Sequence, residues 1–336
     1  MNVITIAVGG SECGHSPVMP YVGEKADGKI FTRLAALYLT AALIRCDFDV
    51  LEVPSPVVDA RDMIMRVNRF TADGAVLISL GAFGSRKSFN DVKGAVVYHS
   101  TSKEHKVFCE DICAALSRNI SCASLGGDRV WQGAVCPTAV VDAGYLTNFD
   151  EAKLSLDPDY AQTIAEHVAM GVCEYFGYPY IRQDDITAYP ILCTAATGKR
   201  GRKIKMLQAL LAANGMKVEV DGVYGKETDL AVKAFEQNNG LSGGVDAALW
   251  RELILPARKP LEYGCMRNGV LYIQRKLYSK LYDCPQSGEL DDKTLTAINE
   301  FVRDKKLCAQ CTKESGVSEE VIAALSCLGG GKPRLF

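Results

Sequence analysis

The stretch Gly74-Ala75-Val76-Leu77-Ile78-Ser79-Leu80-Gly81 is a continuous apolar segment of strand length that ends at small and polar residues. A run without polar alternation is typical of a strand buried on both faces, as in parallel sheets covered by helices. Residues 3–8, 47–53, 95–98 and 138–142 predict further strands, and residues 29–44, 59–70, 102–119 and 160–175 predict helices between them. This alternation predicts an α/β fold with a mostly parallel sheet and flanking helices over residues 1–177.

The second half of the chain carries an internal repeat. Three landmark pairs are each 66 positions apart: Gln208 and Gln274, Thr228 and Thr294, and Phe235 and Phe301. Equal offsets at separate landmarks indicate a duplicated unit, and the helical spacing of apolar residues predicts two small all-α bundle modules. We predict a linker at 178–201, which contains two prolines, a first repeat at 202–257 and a more eroded second repeat at 262–328.

Composition narrows the range of functions. Of the 336 residues, 48% are hydrophobic and 23% are charged, which is ordinary for a globular protein. A net charge of −2 gives no reason to expect nucleic acid as a partner, and no apolar run is long enough for membrane insertion. The first ten residues lack a basic region and a full apolar core, so we expect no signal peptide and synthesis in the cytoplasm.

Nine of the thirteen cysteines fall into two groups. Cys46, Cys109, Cys113 and Cys173 lie in apolar helix or strand patterns, which predicts buried free thiols in a reducing compartment. A denser group follows near the end of the chain. For this group a structural metal site and a disulfide stay open beside free thiols. Its members are Cys265, Cys284, Cys308, Cys311 and Cys327.

The first repeat resembles the bacterial peptidoglycan-binding domain, a small three-helix module. The matching residues are Leu207-Gln208, the turn Asp221-Gly222-Val223-Tyr224-Gly225, Thr228, Ala231-Val232, Phe235, Gly240-Leu241 and Trp250. The resemblance implies that peptidoglycan or its fragments are the partner of this chain. It also implies action at the bacterial cell wall, and the expected lack of a signal peptide fits a spore or phage-lysis setting.

Residues 1–177 resemble the zinc-dependent N-acetylmuramoyl-L-alanine amidases, which are cell-wall hydrolases. The resemblance is carried by Gly23-Glu24-Lys25, by Ile78-Ser79-Leu80-Gly81-Ala82-Phe83 and most closely by Pro137–Asn148. In that family two histidines and one glutamate bind zinc, and a second glutamate acts as general base for a zinc-bound water. The resemblance therefore implies hydrolysis of the muramoyl-L-alanine amide bond, provided that the site residues are present.

The site residues are only partly present. Glu24 keeps the position of the glutamate ligand, but glycines, Gly10 and Gly81, stand where the family has its histidines. Glycine offers no lone pair to zinc. Asp142 stands where the family has its general base, and its carboxylate is retracted by about 1.5 Å because one methylene is missing. A displacement of that size can cost about a hundredfold in rate.

These residues support two alternatives. In the first, the zinc site is degenerate, no cofactor binds, and the protein recognises peptidoglycan with impaired or absent catalysis. In the second, it is an active amidase with zinc in a relocated site built from His15, Glu24 and Asp142. Without a metal, Asp142 has either residual chemistry or a structural role, capping the Gly144–Asn148 turn or pairing with Arg66 or Lys25. His99 and His105 are expected at the surface.

Overall fold

The computed structural model of the protein describes residues 4–10, 28–53, 60–69, 71–84, 88–100, 102–126, 133–192, 198–254, 260–266 and 268–326. Within these ranges the first half forms one sheet in the order β2-β1-β3-β6-β4-β5. The strands are β1 (Thr5–Gly10), β2 (Asp49–Glu52), β3 (Gly74–Gly81), β4 (Ala95–His99), β5 (Cys122–Gly126) and β6 (Thr138–Tyr145). All neighbours pair in parallel except β4 and β6, which are antiparallel. The predicted α/β class with a mostly parallel sheet is confirmed.

Helices cover both faces of the sheet. On one face lie α1 (Gly28–Arg45), α3 (Lys103–Leu116) and α5 (Pro158–Phe176), packed on inward side chains such as Ile78 and Val141. On the other face α2 (Ala60–Arg69) packs Ile64 and Val67 against Leu77 and Val140. The two faces bury alternate residues of β3 and β6, which explains why these strands read as continuous apolar runs.

The sequence pattern does not predict two elements of the first half. The edge strand β5 is short and only partly buried, and its Cys122–Gly126 segment has no clear strand pattern, so its pairing with β4 comes from the tertiary structure. The short helix α4 (Phe149–Leu154) begins at Asn148, whose side chain accepts hydrogen bonds from the backbone N–H groups of Asp150 and Glu151.

The second half is helical, as expected. It contains α6 (Arg202–Ala213), α7 (Lys226–Asn239), α8 (Ala247–Ile254), α9 (Asn268–Ser279), α10 (Asp292–Asp304) and α11 (Glu319–Leu325). Helices α6 to α8 share one apolar core with α1 and α5, whereas α9 to α11 enclose a separate core around Ile298 and Phe301. No helix in the described ranges has the length and apolar character needed to cross a bilayer.

The segment after α5 packs closely on the α/β unit. Arg45 is almost fully buried; its Nε donates to the carbonyl of Ile181 at 2.9 Å, its Nη1 donates to the hydroxyl of Tyr189 at 3.2 Å, and it forms an ion pair with Glu166. Residues 178–192 therefore hold fixed contacts with the core. The domain boundaries inferred from the sequence remain predictions, since a single apolar cluster runs from the sheet into α6–α8.

The described cysteines are free thiols. Cys46, Cys109 and Cys173 are buried as predicted, while Cys113 is partly buried. In the C-terminal group, Cys284 and Cys311 are buried, Cys265 is partly buried and Cys308 is exposed, and Cys327 lies outside the described residues.

Candidate functional site

The carboxyl ends of β1, β3 and β6 meet at one edge of the sheet, where α/β folds commonly place their functional groups. Gly10 ends β1 and Gly81 ends β3. Asp142 on β6 lies in register with Ser79 of β3 and forms a side-chain hydrogen bond with it. The structure thus brings Gly81 and Asp142, two of the positions singled out in the sequence, into direct proximity.

Two tyrosines complete this cluster. A Cβ atom at Gly81 would lie 3.0 Å from ring carbons of Tyr145 and 3.1 Å from Oδ2 of Asp142. Tyr98 reaches the cluster from β4 and forms a side-chain hydrogen bond with Tyr145. Burial, together with the nearby Asp142 and Tyr145, raises the pKa of Tyr98. The position of Tyr98 could not be predicted from the sequence, because it depends on the antiparallel pairing of β4 with β6.

The carboxyl group of Asp142 is partly buried, and burial raises its pKa to about 6 although the hydrogen bond from Ser79 acts in the opposite direction. The turn that follows is held by other groups: Oε2 of Glu151 accepts from the Tyr145 N–H at 2.7 Å, and Asn148 caps α4. Arg66 forms an ion pair with Asp62 at 2.8 Å. With a pKa of about 6, the carboxyl group of Asp142 changes its charge close to neutral pH.

We expect Asp142→Asn to stabilise the protein at pH 8 by up to about 3 kcal/mol. The folded pKa of about 6 lies above the ordinary value of 3.8, so the ionised carboxylate destabilises the fold above pH 6. As the pH falls through 6 the group protonates in the folded state and this cost disappears. The difference between variant and wild type should therefore shrink to less than ~1 kcal/mol near pH 4.

Urea denaturation of both proteins at the two pH values measures this effect. Asp91→Asn, which changes an exposed carboxylate, is the matched control and should alter stability little at either pH. A variant that is equally stable to the wild type at pH 8 would contradict the burial argument.

Gly10 and Gly81, the two glycines singled out in the sequence, cannot hold a zinc ion. Neither glycine carries a donor atom, and a Cβ atom at Gly10 would lie 2.8 Å from the backbone carbonyl oxygen of Thr32. In the described part of the chain, no three His, Cys, Asp or Glu side chains lie close enough together to share a metal ion. His15 and Glu24 lie outside the described residues.

The expectation that His99 and His105 lie at the surface is wrong. Both are buried, at 9% and 5% exposure. Nδ1 of His99 lies 2.6 Å from the Ser100 carbonyl oxygen, and the ring packs so closely on Gly126 that a Cβ atom there would approach it to 2.4 Å. Burial lowers the pKa of His105. Long-range packing of α3 and β5 against β4, which the local pattern does not reveal, covers these two side chains.

The first helical module is organised around one buried amide. Gln208 on α6 is 1% exposed, and its Nε2 donates toward the carbonyl of Val223 at 3.0 Å and the hydroxyl of Thr228 at 2.9 Å. Its Oε1 accepts from the Gly222 N–H at 2.7 Å. Gly222 has a φ of 74°, a conformation that glycine adopts readily. Gln208 thus ties the turn before α7 to both helices.

The same set of contacts occurs around Gln274 on α9. Its Nε2 lies 3.0 Å from the carbonyl oxygen of Glu289 and 2.8 Å from the hydroxyl of Thr294, and its Oε1 accepts from the Gly288 N–H at 2.7 Å. Gly288 also has a positive φ, 79°. The sequence landmarks Gln and Thr therefore serve the same hydrogen bonds in both places.

We expect Gln208→Leu and Gln274→Leu each to cost about 2–3 kcal/mol of stability, because each leaves a buried threonine hydroxyl and a glycine N–H of the turn without their amide partner. Urea denaturation measures the cost, with the exposed Gln237→Leu as the matched control. A large effect at Gln208 with none at Gln274 would contradict the equivalence of the two networks.

These observations describe an α/β unit, in which Gly81 and Asp142 lie together near the carboxyl ends of the strands, and helices that pack around the buried amides of Gln208 and Gln274. Residues 200–253, which include the Gln208 network, match the family described as "Putative peptidoglycan binding domain". A peptidoglycan-binding domain is therefore present in this part of the chain. No curated protein sequence matches the chain.

Several solved structures of N-acetylmuramoyl-L-alanine amidases are similar to the chain. An amidase from Clostridium difficile 630 has 17% identity and a TM-score of 0.45, covering 53% of this chain and 98% of the amidase. The catalytic domain of CwlV from Bacillus (Paenibacillus) polymyxa var. colistinus has 19% identity and a TM-score of 0.43, covering 53% and 100%. AmiC2 of Nostoc punctiforme has 18% identity and a TM-score of 0.42, covering 52% and 97%.

Proposed function

We propose that this protein binds bacterial peptidoglycan through the module at residues 200–253. The match of these residues to a peptidoglycan-binding family is the observation that carries the proposal. The folded three-helix unit around Gln208 supports it, because the family's residue pattern lies on a packed core. We further propose that α9–α11 form a second copy of the module, which the recurrence of the hydrogen-bond network around Gln274 supports.

For the α/β unit we propose an amidase-type fold with a degenerate zinc site and impaired or absent catalysis. Gly10 and Gly81 offer no ligands, and the Thr32 carbonyl next to Gly10 leaves no room for a side chain there. The protein would then act at the cell wall as a recognition or scaffold component. The α/β unit would serve as the surface on which the helical modules pack.

Co-sedimentation with purified, insoluble peptidoglycan tests the binding proposal. We expect the full chain to sediment with peptidoglycan and to stay in the supernatant with cellulose, a glycan that carries no peptides. If the chain does not sediment with peptidoglycan from several wall types, the binding proposal is contradicted.

One observation favours a second candidate, an active amidase with a relocated metal site. The pKa of Asp142, about 6, suits a group that exchanges protons near neutral pH, and the carboxylate lies near the carboxyl ends of β3 and β6. Zinc content after purification without chelator and release of peptides from purified walls separate the two candidates. Stoichiometric zinc that is lost in His15→Ala, together with peptide release, would overturn the degenerate-site proposal; no zinc and no release would overturn the relocated site.

A further inference from the structure

A cleft of about 540 Å³ lies where the α/β unit meets the helical modules. One wall is α1, the opposite wall is the segment from the end of α6 to the start of α7, and α9 contributes Arg275. Leu34, Leu37 and Met216 supply apolar lining. The volume is within the range of about 300–1,000 Å³ typical of small-ligand sites, which also favour apolar walls with a few polar groups.

Arg275 is the most informative residue of this cleft. It is partly buried, and its Nη1 donates to the carbonyl of Ala213 at the end of α6, at 3.1 Å. Burial lowers the pKa of Arg275, and the hydroxyl of Tyr38 is the acidic group that offsets this shift. No carboxylate in the described part of the chain forms an ion pair with Arg275. The side chain is therefore a partly desolvated cation in a cleft, available to an anion.

The rim of the cleft carries charges of both signs. Arg33 of α1 and Lys217 after α6 are exposed cations. Glu219 and Glu227 are exposed carboxylates on the same rim. A ligand that matches this pattern has more than one carboxylate and a free amine on a short, partly apolar frame. The peptide arms of peptidoglycan have this chemistry, whereas its glycan strands offer mainly hydroxyl groups.

We propose that this cleft binds the peptide arm of peptidoglycan, with a ligand carboxylate on Arg275 and Lys217 and a ligand amine on Glu219 or Glu227. This inference rests on the proposed function, because it names the part of peptidoglycan that the protein recognises. It also gives the α/β unit a role, since α1 supplies one wall. Recognition is then shared between the sheet-bearing half and the modules.

Isothermal titration calorimetry with the synthetic tripeptide L-Ala-γ-D-Glu-meso-diaminopimelic acid tests the cleft in the full chain. We expect measurable binding, which Arg275→Gln and Lys217→Gln each weaken about tenfold or more through loss of a charge-assisted contact. Lys217 is exposed, so its variant tests the site even if Arg275→Gln disturbs the fold. Lys293→Gln, an exposed lysine on α10 outside the cleft, is the matched control.

Two readouts separate this proposal from the one on which it rests. The proposal for the cleft is overturned if the wild type does not bind the tripeptide or if both variants keep the wild-type affinity. This holds even when the chain sediments with peptidoglycan. Loss of sedimentation with peptidoglycan overturns the proposed function itself. Trialanine, which lacks the acidic and amino side chains, should bind at least about tenfold more weakly than the tripeptide, and equal binding would also overturn the charge assignment.

Discussion

Replacement of Lys276 by methionine is expected to lower the free energy of unfolding by about 3–5 kcal/mol. Lys276 on α9 is fully buried, and its Nζ lies 2.7 Å from Oδ2 of Asp157 and 2.9 Å from Oδ2 of Asp159. The hydroxyl of Tyr272 donates to the same Asp159 oxygen at 2.9 Å. Burial alone would lower the pKa of Lys276, but the two carboxylates outweigh it and raise the pKa.

The cost arises from the carboxylates that are left behind. Asp157 caps the N-terminus of α5 and lies in the α/β unit, so the cluster joins that unit to α9 and the helices packed with it. Without the lysine, the buried carboxylate of Asp157 and the partly buried carboxylate of Asp159 both lose their cationic partner. Adding Asp157→Asn and Asp159→Asn to Lys276→Met should therefore restore much of the lost stability, because it removes both charges and keeps a capping side chain.

Urea denaturation measures these differences. Lys233→Met is the matched control, since Lys233 forms an equally short ion pair with Asp229 but is 67% exposed. Surface pairs of this kind contribute about 0–1 kcal/mol. If Lys276→Met costs no more than Lys233→Met, the buried cluster does not hold the module to the sheet-bearing half.

Installing histidine at both Gly10 and Gly81 is expected to destabilise the protein by about 2–6 kcal/mol in total, and not to create an amidase. At Gly10 a Cβ atom would approach the Thr32 carbonyl oxygen to 2.8 Å, and this backbone atom belongs to α1 and cannot rotate away. At Gly81 the close neighbours are the Tyr145 ring at 3.0 Å and the Asp142 carboxylate at 3.1 Å. Gly10→His should account for the larger share.

The single and double variants are compared with the wild type by urea denaturation and by zinc content. Gly133→Ala is the control for glycine replacement as such, because the nearest atom to a Cβ there is at an ordinary 3.7 Å. A double variant that folds with wild-type stability and takes up stoichiometric zinc would contradict the steric argument and show that the remaining residues can complete a zinc site.

The surroundings of Asp142 show how far sequence reasoning reached into the site. Its position near the carboxyl end of a buried strand could be predicted from the apolar run before it, and its approach to Gly81 follows from the parallel pairing of β3 with β6. The hydrogen bond from Ser79 and the approach of Tyr98 could not, because they depend on register and on the antiparallel placement of β4. In one of the alternatives Asp142 caps the turn after β6, but Asn148 and Glu151 make the contacts of that turn.

By itself the sequence determined the alternation of strands and helices in the first half and the helical character of the second half. It also supplied the glutamine and threonine landmarks that recur 66 positions apart. These are local properties, since apolar periodicity and turn residues act within one element or between neighbours. The tertiary structure alone decided the burial of His99 and His105, the Lys276 ion cluster and the cleft around Arg275. Each of these joins residues that are distant in the chain, and desolvation by packing, rather than residue type, sets their charge and their availability to a ligand.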